Sequence, residues 1–149
     1  LTVNYFKTPN KEVPMSEVRI TIPGRPVPKG RPWIEYSGRS AYLYTPPETK
    51  KYEKDVAAIG RLSCGNPAAG PVEVEIFMYF NPQVKVFTKG GKRRRGTLPD
   101  LDNCVKSIID GLNKVAYEDD RQVVRIVAEK RCDQVERAEI VIREVELQP

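Results

Sequence analysis

The 149-residue chain contains no histidine. That absence removes His-based general acid–base catalysis, Ser-His-Asp and Cys-His nucleophilic schemes, and His-containing zinc sites in one step. Cysteine is scarce: Cys64, Cys104 and Cys132 lie far apart with no C-x-x-C pair. They offer neither zinc spacing nor an even disulfide set, and read as buried or half-buried thiols of a reducing cytoplasm. No run approaches the roughly 18 apolar residues of a membrane helix, and the N-terminus lacks the charged-then-apolar pattern of a secretory signal. The expectation is a soluble, cytoplasmic protein with no membrane partner. Internal repeats are absent, and the length suits one domain with its own core. Residues 1–14, polar and without a period, are read as an N-terminal extension, either upstream sequence or a cloning remnant, ahead of a domain at 15–149.

Acidic residues are outnumbered, 20 against 25 Lys and Arg, for a net charge of +5. That balance favours a polyanionic partner, although many soluble proteins share it. Against it stands Pro99-Asp100-Leu101-Asp102-Asn103-Cys104-Val105-Lys106, followed by Asp119-Asp120. Clustered carboxylates repel one another unless a cation offsets them, and a divalent metal does so directly. The cluster is therefore read as a Mg²⁺ site in a protein that handles phosphates. Leu101, Val105, Ile108, Ile109 and Leu112 recur at i, i+4, i+7, i+8 and i+11, the apolar face of a helix. Asp100 or Asp102 can cap it, which is the ordinary use of a lone aspartate there. Capping uses one carboxylate and leaves the other, with the downstream pair, unexplained.

Elsewhere, Val18 to Ile22 alternates as a strand, ended by Pro23-Gly24. Four prolines between 23 and 32 then make a stiff arm that displays Arg25, Lys29 and Arg31, either a plain connection or a phosphate-gripping loop. Tyr36, Tyr42 and Tyr44 surround a turn at Gly38-Arg39, a hairpin whose aromatics are expected to pack, with base stacking as the less favoured use. Thr45-Pro46-Pro47-Glu48 opens a helix with the elements of a capping box, running to Leu62 with Tyr52, Val56, Ile59 and Leu62 inward. Val72 to Phe80 alternates without a break. Its Glu73 and Glu75 read first as exposed strand carboxylates and second as extra ligands. Gln83 to Thr97 is expected to be a loop, and its Lys85, Lys89, Lys92, Arg93, Arg94 and Arg95 lead straight into Asp100. Such a run is either solvated or a phosphate contact. Val123 to Cys132 and Val135 to Val145 read as strands joined around Asp133-Gln134, with Ile126, Ala128, Ile140 and Ile142 inward. The fold class expected is α+β: a single domain with two main helices against a mixed or antiparallel sheet.

The runs Pro99-Asp100-Leu101-Asp102-Asn103, Lys106, Asp110-Gly111-Leu112-Asn113 and Val115 to Val123, with Pro23 to Pro32 and Tyr44-Thr45-Pro46 upstream, resemble the RusA-like Holliday junction resolvases. The resemblance covers roughly residues 17 to 145. It implies a small homodimer that cuts four-way DNA junctions in recombination and repair, using Mg²⁺, with Mn²⁺ as a substitute. Carried over by motif, the metal ligands and catalytic carboxylates are Asp100, Asp102 and Asp120. Lys106 is the accompanying lysine, placed to orient water or offset charge; its plain alternative is a surface pair with Asp102, worth about 0.3–0.5 kcal/mol. The pattern departs at Leu98, where a basic residue is common, and at Lys114, where glycine is common, so that a left-handed residue must come from Asn113 or be absent. A helix from Asp102 to Asn113 rises about 18 Å. The seven steps from Asn113 to Asp120 reach at most about 25 Å. Asp120 can thus return to its own chain's site, or, in a compact segment, serve the partner's. The alternatives in function are another metal-dependent branched-DNA or flap nuclease and a non-catalytic DNA-binding module.

Overall fold

The computed structural model describes residues 17–83 and 98–149, with the backbone of 85–87 and 93–95. The N-terminal extension expected at 1–14 lies outside the described residues, as do Lys89 and Lys92. In chain order the elements are β1 (Glu17–Pro23), β2 (Trp33–Ser37), β3 (Ser40–Tyr44), α1 (Pro47–Ser63), β4 (Val72–Phe80), β5 (Lys85–Phe87), β6 (Arg93–Arg95), α2 (Leu101–Leu112), β7 (Val123–Cys132) and β8 (Arg137–Glu144). The α+β class holds, and the sheet is mixed.

Four strands build that sheet in the order β1-β8-β4-β7. β1 and β4 flank β8 antiparallel, while β7 joins the far side of β4 in parallel. The period-2 pattern of β4 explains its place: Val72, Val74, Ile76, Met78 and Phe80 have no exposed surface at all. On that face they meet Ile20, Ile22, Tyr52, Val56, Ile108, Leu112 and Tyr117 in one core. The two helices pack closely because glycines stand where they meet. A Cβ on Gly111 would lie 2.9 Å from Val56, and one on Gly60 3.1 Å from Val115.

The other face is a ladder of ion pairs. Arg143 reaches Glu17, Glu73 and Glu75, and Arg125 reaches Glu73. Arg131 and Arg137 lie over the rings of Phe77 and Tyr79. Glu73 and Glu75 thus have arginine partners on the face away from the helices.

β7 and β8 do not pair with each other. Their connection crosses the end of β4, where the Asp133 N–H donates to the Phe80 carbonyl and the Asn81 N–H to Glu136. Several local expectations change. Thr45 makes no cap bond, since α1 starts behind Pro46 with no side-chain cap. Leu62 is 87% exposed while Gly60 is buried. Leu62 lies two residues, about 200°, around the helix from Gly60. Ile126 is 46% exposed at the sheet edge. Part of the segment expected as a loop forms an antiparallel pair, Lys85↔Arg95 to Phe87↔Arg93. The β2–β3 hairpin forms as expected, but Tyr36 is 76% exposed and Tyr42 is also exposed, so neither packs inward.

Candidate metal and nucleic-acid site

The apolar stripe of α2 buries Cys104, Ile108, Ile109 and Leu112. This fixes the helix so that Asp102 and Lys106 fall on its outer flank, along an open apolar groove with Leu101, Val105, Ile109, Ile126 and Ala128. The Cys104 thiol is pushed up to about 11, chiefly by burial, which leaves it a neutral core group. Asp100 occupies the N-cap position, but its carboxylate makes no cap bond. It only meets the Asn103 amide at 3.4 Å. Asp102 accepts the neighbouring Asn103 N–H at 2.9 Å. Both are exposed, and among the described residues neither has an ion-pair partner.

The proline-rich arm is strapped across both helices. The Lys29 N–H donates to the Asn103 carbonyl at 2.8 Å, the Gly30 N–H donates to Thr49 Oγ1, and the Ser107 hydroxyl donates to the Val27 carbonyl. Within this arm Lys29 pairs with Glu53 and, at 3.0 Å, with Asp110. Arg25 pairs with Glu136 at 2.6 Å. Arg31 stands exposed, and Arg93, Arg94 and Arg95 form β6.

At the other end of α2 the charges are matched. Lys106 bonds Asp110 at 2.9 Å, in place of the surface pair with Asp102 weighed from sequence. Burial pushes the Asp110 carboxyl up, but the ammonium groups of Lys106 and Lys29 outweigh it and hold the group below its usual range. Burial likewise disfavours a charged Lys29, and its bonds to Glu53 and Asp110 turn the net shift upward. Asp110 was missed as a charge partner. The available signal was its i+4 spacing from Lys106, the same spacing Asp102 has on the other side. The left-handed residue after α2 is Lys114 itself, φ 69°, and not Asn113.

Asp119 caps the short 3₁₀ turn Asp120–Gln122, with Gln122 bonding back to it. Its bonds from the Arg121 side chain and backbone hold its carboxyl at about 2. Asp119 is thereby committed to the turn. Asp120, half-buried, has no ion-pair partner among the described residues.

The direction of α2 decides how these carboxylates meet. Lys130, near the end of β7, donates to the Pro99 carbonyl at 3.2 Å. The Tyr117 hydroxyl donates to the Ile109 carbonyl at 2.6 Å, and both Asp120 and Asp110 act on Tyr117. α2 therefore runs antiparallel to β7, with Asp100 and Asp102 at one end and Asp120 at the other. Among the described residues no three Asp, Glu or Cys side chains are close enough to hold one metal ion. An exposed aspartate pair still suits Mg²⁺, which binds through one or two carboxylates and keeps waters and substrate phosphate as its other ligands. Among the described residues Asp100, Asp102 and Asp120 are not gathered as such a group.

Residues 23–143 match the family model described as Endodeoxyribonuclease RusA. The chain is also 32% identical over 143 residues to the uncharacterized protein YqaN of Bacillus subtilis (strain 168), across 88% of this chain and 99% of that protein.

Proposed function

The chain belongs to the RusA endodeoxyribonuclease family, and from that premise we propose that it is a Mg²⁺-dependent, homodimeric nuclease that resolves four-way DNA junctions by paired phosphodiester hydrolysis in recombination and repair. The observation that carries the reading is the pair Asp100 and Asp102: exposed, unpaired among the described residues, and set at the start of a helix in a basic chain. A second ion such as Mn²⁺ substitutes in the same site.

Asp100 and Asp102 hold the ion, and Asp120 is the third catalytic carboxylate. When bound, the ion supplies Lewis acidity, lowering the pKa of a water and offsetting charge on the phosphate. The work of the chain is to aim it. Burial of Cys104 and Ile108 fixes the helix and thus the two carboxylates. Lys106 lies on the same flank, about one turn from Asp102, where its ammonium offsets charge gathering on the phosphate once it leaves Asp110. Arg31 and the basic segment at Lys89, Lys92, Arg93, Arg94 and Arg95 neutralise backbone phosphates; Arg25 and Lys29 join them in part, since each also has a carboxylate partner. A four-way junction has approximate two-fold symmetry, so two sites related by a dyad suit two opposed cuts.

The test is cleavage of a labelled four-way junction and a matched linear duplex with Mg²⁺ or EDTA, using wild type and Asp102→Asn. Paired, metal-dependent nicks at the junction, reduced more than about 100-fold by Asp102→Asn while binding persists, are expected; even loss of a group one step removed from a metal costs 10–100-fold. Equal cutting of the linear duplex identifies a different nuclease. Tight binding with no cutting identifies a DNA-binding module.

A further inference from the structure

The hairpin of β2 and β3 is at odds with the rest of the fold. Its strands carry Trp33, Ile34, Tyr36, Tyr42, Leu43 and Tyr44, yet no residue of either strand is buried. Ile34, Tyr36, Tyr42 and Leu43 are between 56% and 76% exposed. Among the described strands these two pair only with each other. A lone two-stranded hairpin is marginal in water, so large apolar side chains held out on one contribute little to this fold and call for another surface.

The side-chain arrangement says what that surface is. The register pairs Ile34 with Leu43 and Tyr36 with Ala41, which puts all four on one face. Trp33, Tyr42 and Tyr44 fall on the other, where the Trp33 and Tyr44 ring centroids lie 4.6 Å apart. A flat protein surface covers one face of a hairpin, whereas a hairpin entering between two stacks of bases uses both. Charge points the same way. On the outer face of the sheet Arg19, Arg125, Arg131, Arg137 and Arg143 each bond a carboxylate. Around the hairpin Arg31, Arg39 and Lys50 have no carboxylate partner among the described residues, and Lys50 lies over the Tyr44 ring. Arg39 stands at the tip, in the tight turn that Gly38 makes at φ 60°. Free cations interleaved with exposed aromatics suit unpaired nucleic acid: the cations take phosphates, and ring faces accept any base.

The hairpin is also tied to the proposed site. The Lys29 N–H bonds the Asn103 carbonyl at 2.8 Å, beside Asp102. Four steps of chain, at most about 14 Å, lead from Lys29 to Trp33. Each strand then spans about 17 Å, the length of about five nucleotide steps along one strand of a duplex.

We propose that the β2–β3 hairpin is a base-stacking arm: Tyr36 and Tyr42 stack on unpaired bases at the branch of a four-way junction, and Arg31 and Arg39 hold the phosphates beside them. This rests on the nuclease reading above and names the feature of the DNA that the arm reads.

Trp33, the single tryptophan, makes the arm directly observable. Full-length protein is titrated with a four-way junction or the matched linear duplex in EDTA, for wild type, Tyr36→Ser/Tyr42→Ser and Tyr36→Phe/Tyr42→Phe. In the wild type the junction quenches Trp33 fluorescence and the duplex does not. The serine variant loses at least about 5-fold in junction affinity. It keeps its duplex affinity and its salt slope, because no phosphate contact is removed. The phenylalanine variant keeps both ring faces and binds like wild type. Both tyrosines are exposed, so the fold is retained; if circular dichroism shows otherwise for the serine variant, Trp33 quenching decides. Unchanged junction affinity without quenching overturns the arm and leaves the nuclease intact. Equal losses on both DNAs do the same. So does a serine variant that sediments as a smaller species than wild type, which makes the hairpin a contact between copies of this chain. A wild type that binds neither DNA removes the nuclease reading itself, and the arm with it.

Discussion

At its C-terminal end α2 presents Asp110 to two ammonium groups, with Glu53 sharing one of them; at its N-terminal end Asp100 and Asp102 stand exposed with no ion pair among the described residues. The same residue type does different jobs at the two ends. A carboxylate enclosed by cations holds neighbouring elements together, here the proline-rich arm, α1 and α2. Unmatched carboxylates at the start of a helix contribute little to that packing and remain open to a cation from outside. The difference can be measured as stability against activity.

The largest separation is expected between Lys29→Met and Asp102→Asn. Methionine at 29 leaves Glu53 and Asp110 facing each other without their shared cation. Breaking a buried pair costs about 3–5 kcal/mol and an exposed one about 0–1. These partners are about a quarter exposed, so a loss of about 2 kcal/mol in urea unfolding follows. Asp102→Asn, a surface change, shifts stability by no more than about 0.5 kcal/mol while abolishing cleavage. A neutral Lys29→Met removes the structural role given to that end.

A smaller effect separates the ends by pH. The Asp110 carboxyl is held below its ordinary value in the fold, so the unfolded chain takes up the proton first as pH falls. The stabilisation is present in full above the unfolded value, about 3.9, and is lost as pH falls through the lower folded value. Asp110→Asn therefore costs most near neutral pH, about 1 kcal/mol for a part-buried pair, and its deficit is smaller at about pH 3, below the unfolded value. Urea titrations of both proteins at the two pH values check this. A deficit that is independent of pH assigns the cost to packing.

Much of this was legible from periodicity. The 3.6-residue stripe located α2, and the strict alternation of Val72 to Phe80 marked the strand that became the centre of the sheet. What was not legible depended on distant neighbours. Lys106 has an aspartate four residues away on each side, and only Lys29, folded in from the arm, marks Asp110 as the charged centre of that cluster. The Asp133-Gln134 turn does not reveal that β4 lies between the strands it joins. Leu62 completed the apparent stripe of α1, yet the buried position there belongs to Gly60, whose lack of a side chain admits Leu112 and Val115. The aspartates followed the same division. The motif proposed Asp100, Asp102 and Asp120, whereas their placement at opposite ends of α2 required the direction of β7.

The smallest expected effect sharpens the contrast in backbone. Lys114 ends the C-terminal side of α2 in the left-handed region at φ 69°, a conformation that costs an L-residue about 1–2 kcal/mol. Its N–H is retained in a bond to the Tyr117 carbonyl at 2.9 Å, which glycine preserves. Lys114→Gly relieves the strain and forfeits about 0.5–1 kcal/mol through the freer unfolded chain. The net is a gain of about 0.5 kcal/mol, or about 1–2 °C in Tm for a domain of this size. The same substitution at Asn113, where φ is −61°, has no strain to relieve and lowers Tm. Opposite signs at adjacent positions place the strain at Lys114; a fall in Tm for both assigns the turn's stability to the Lys114 side chain.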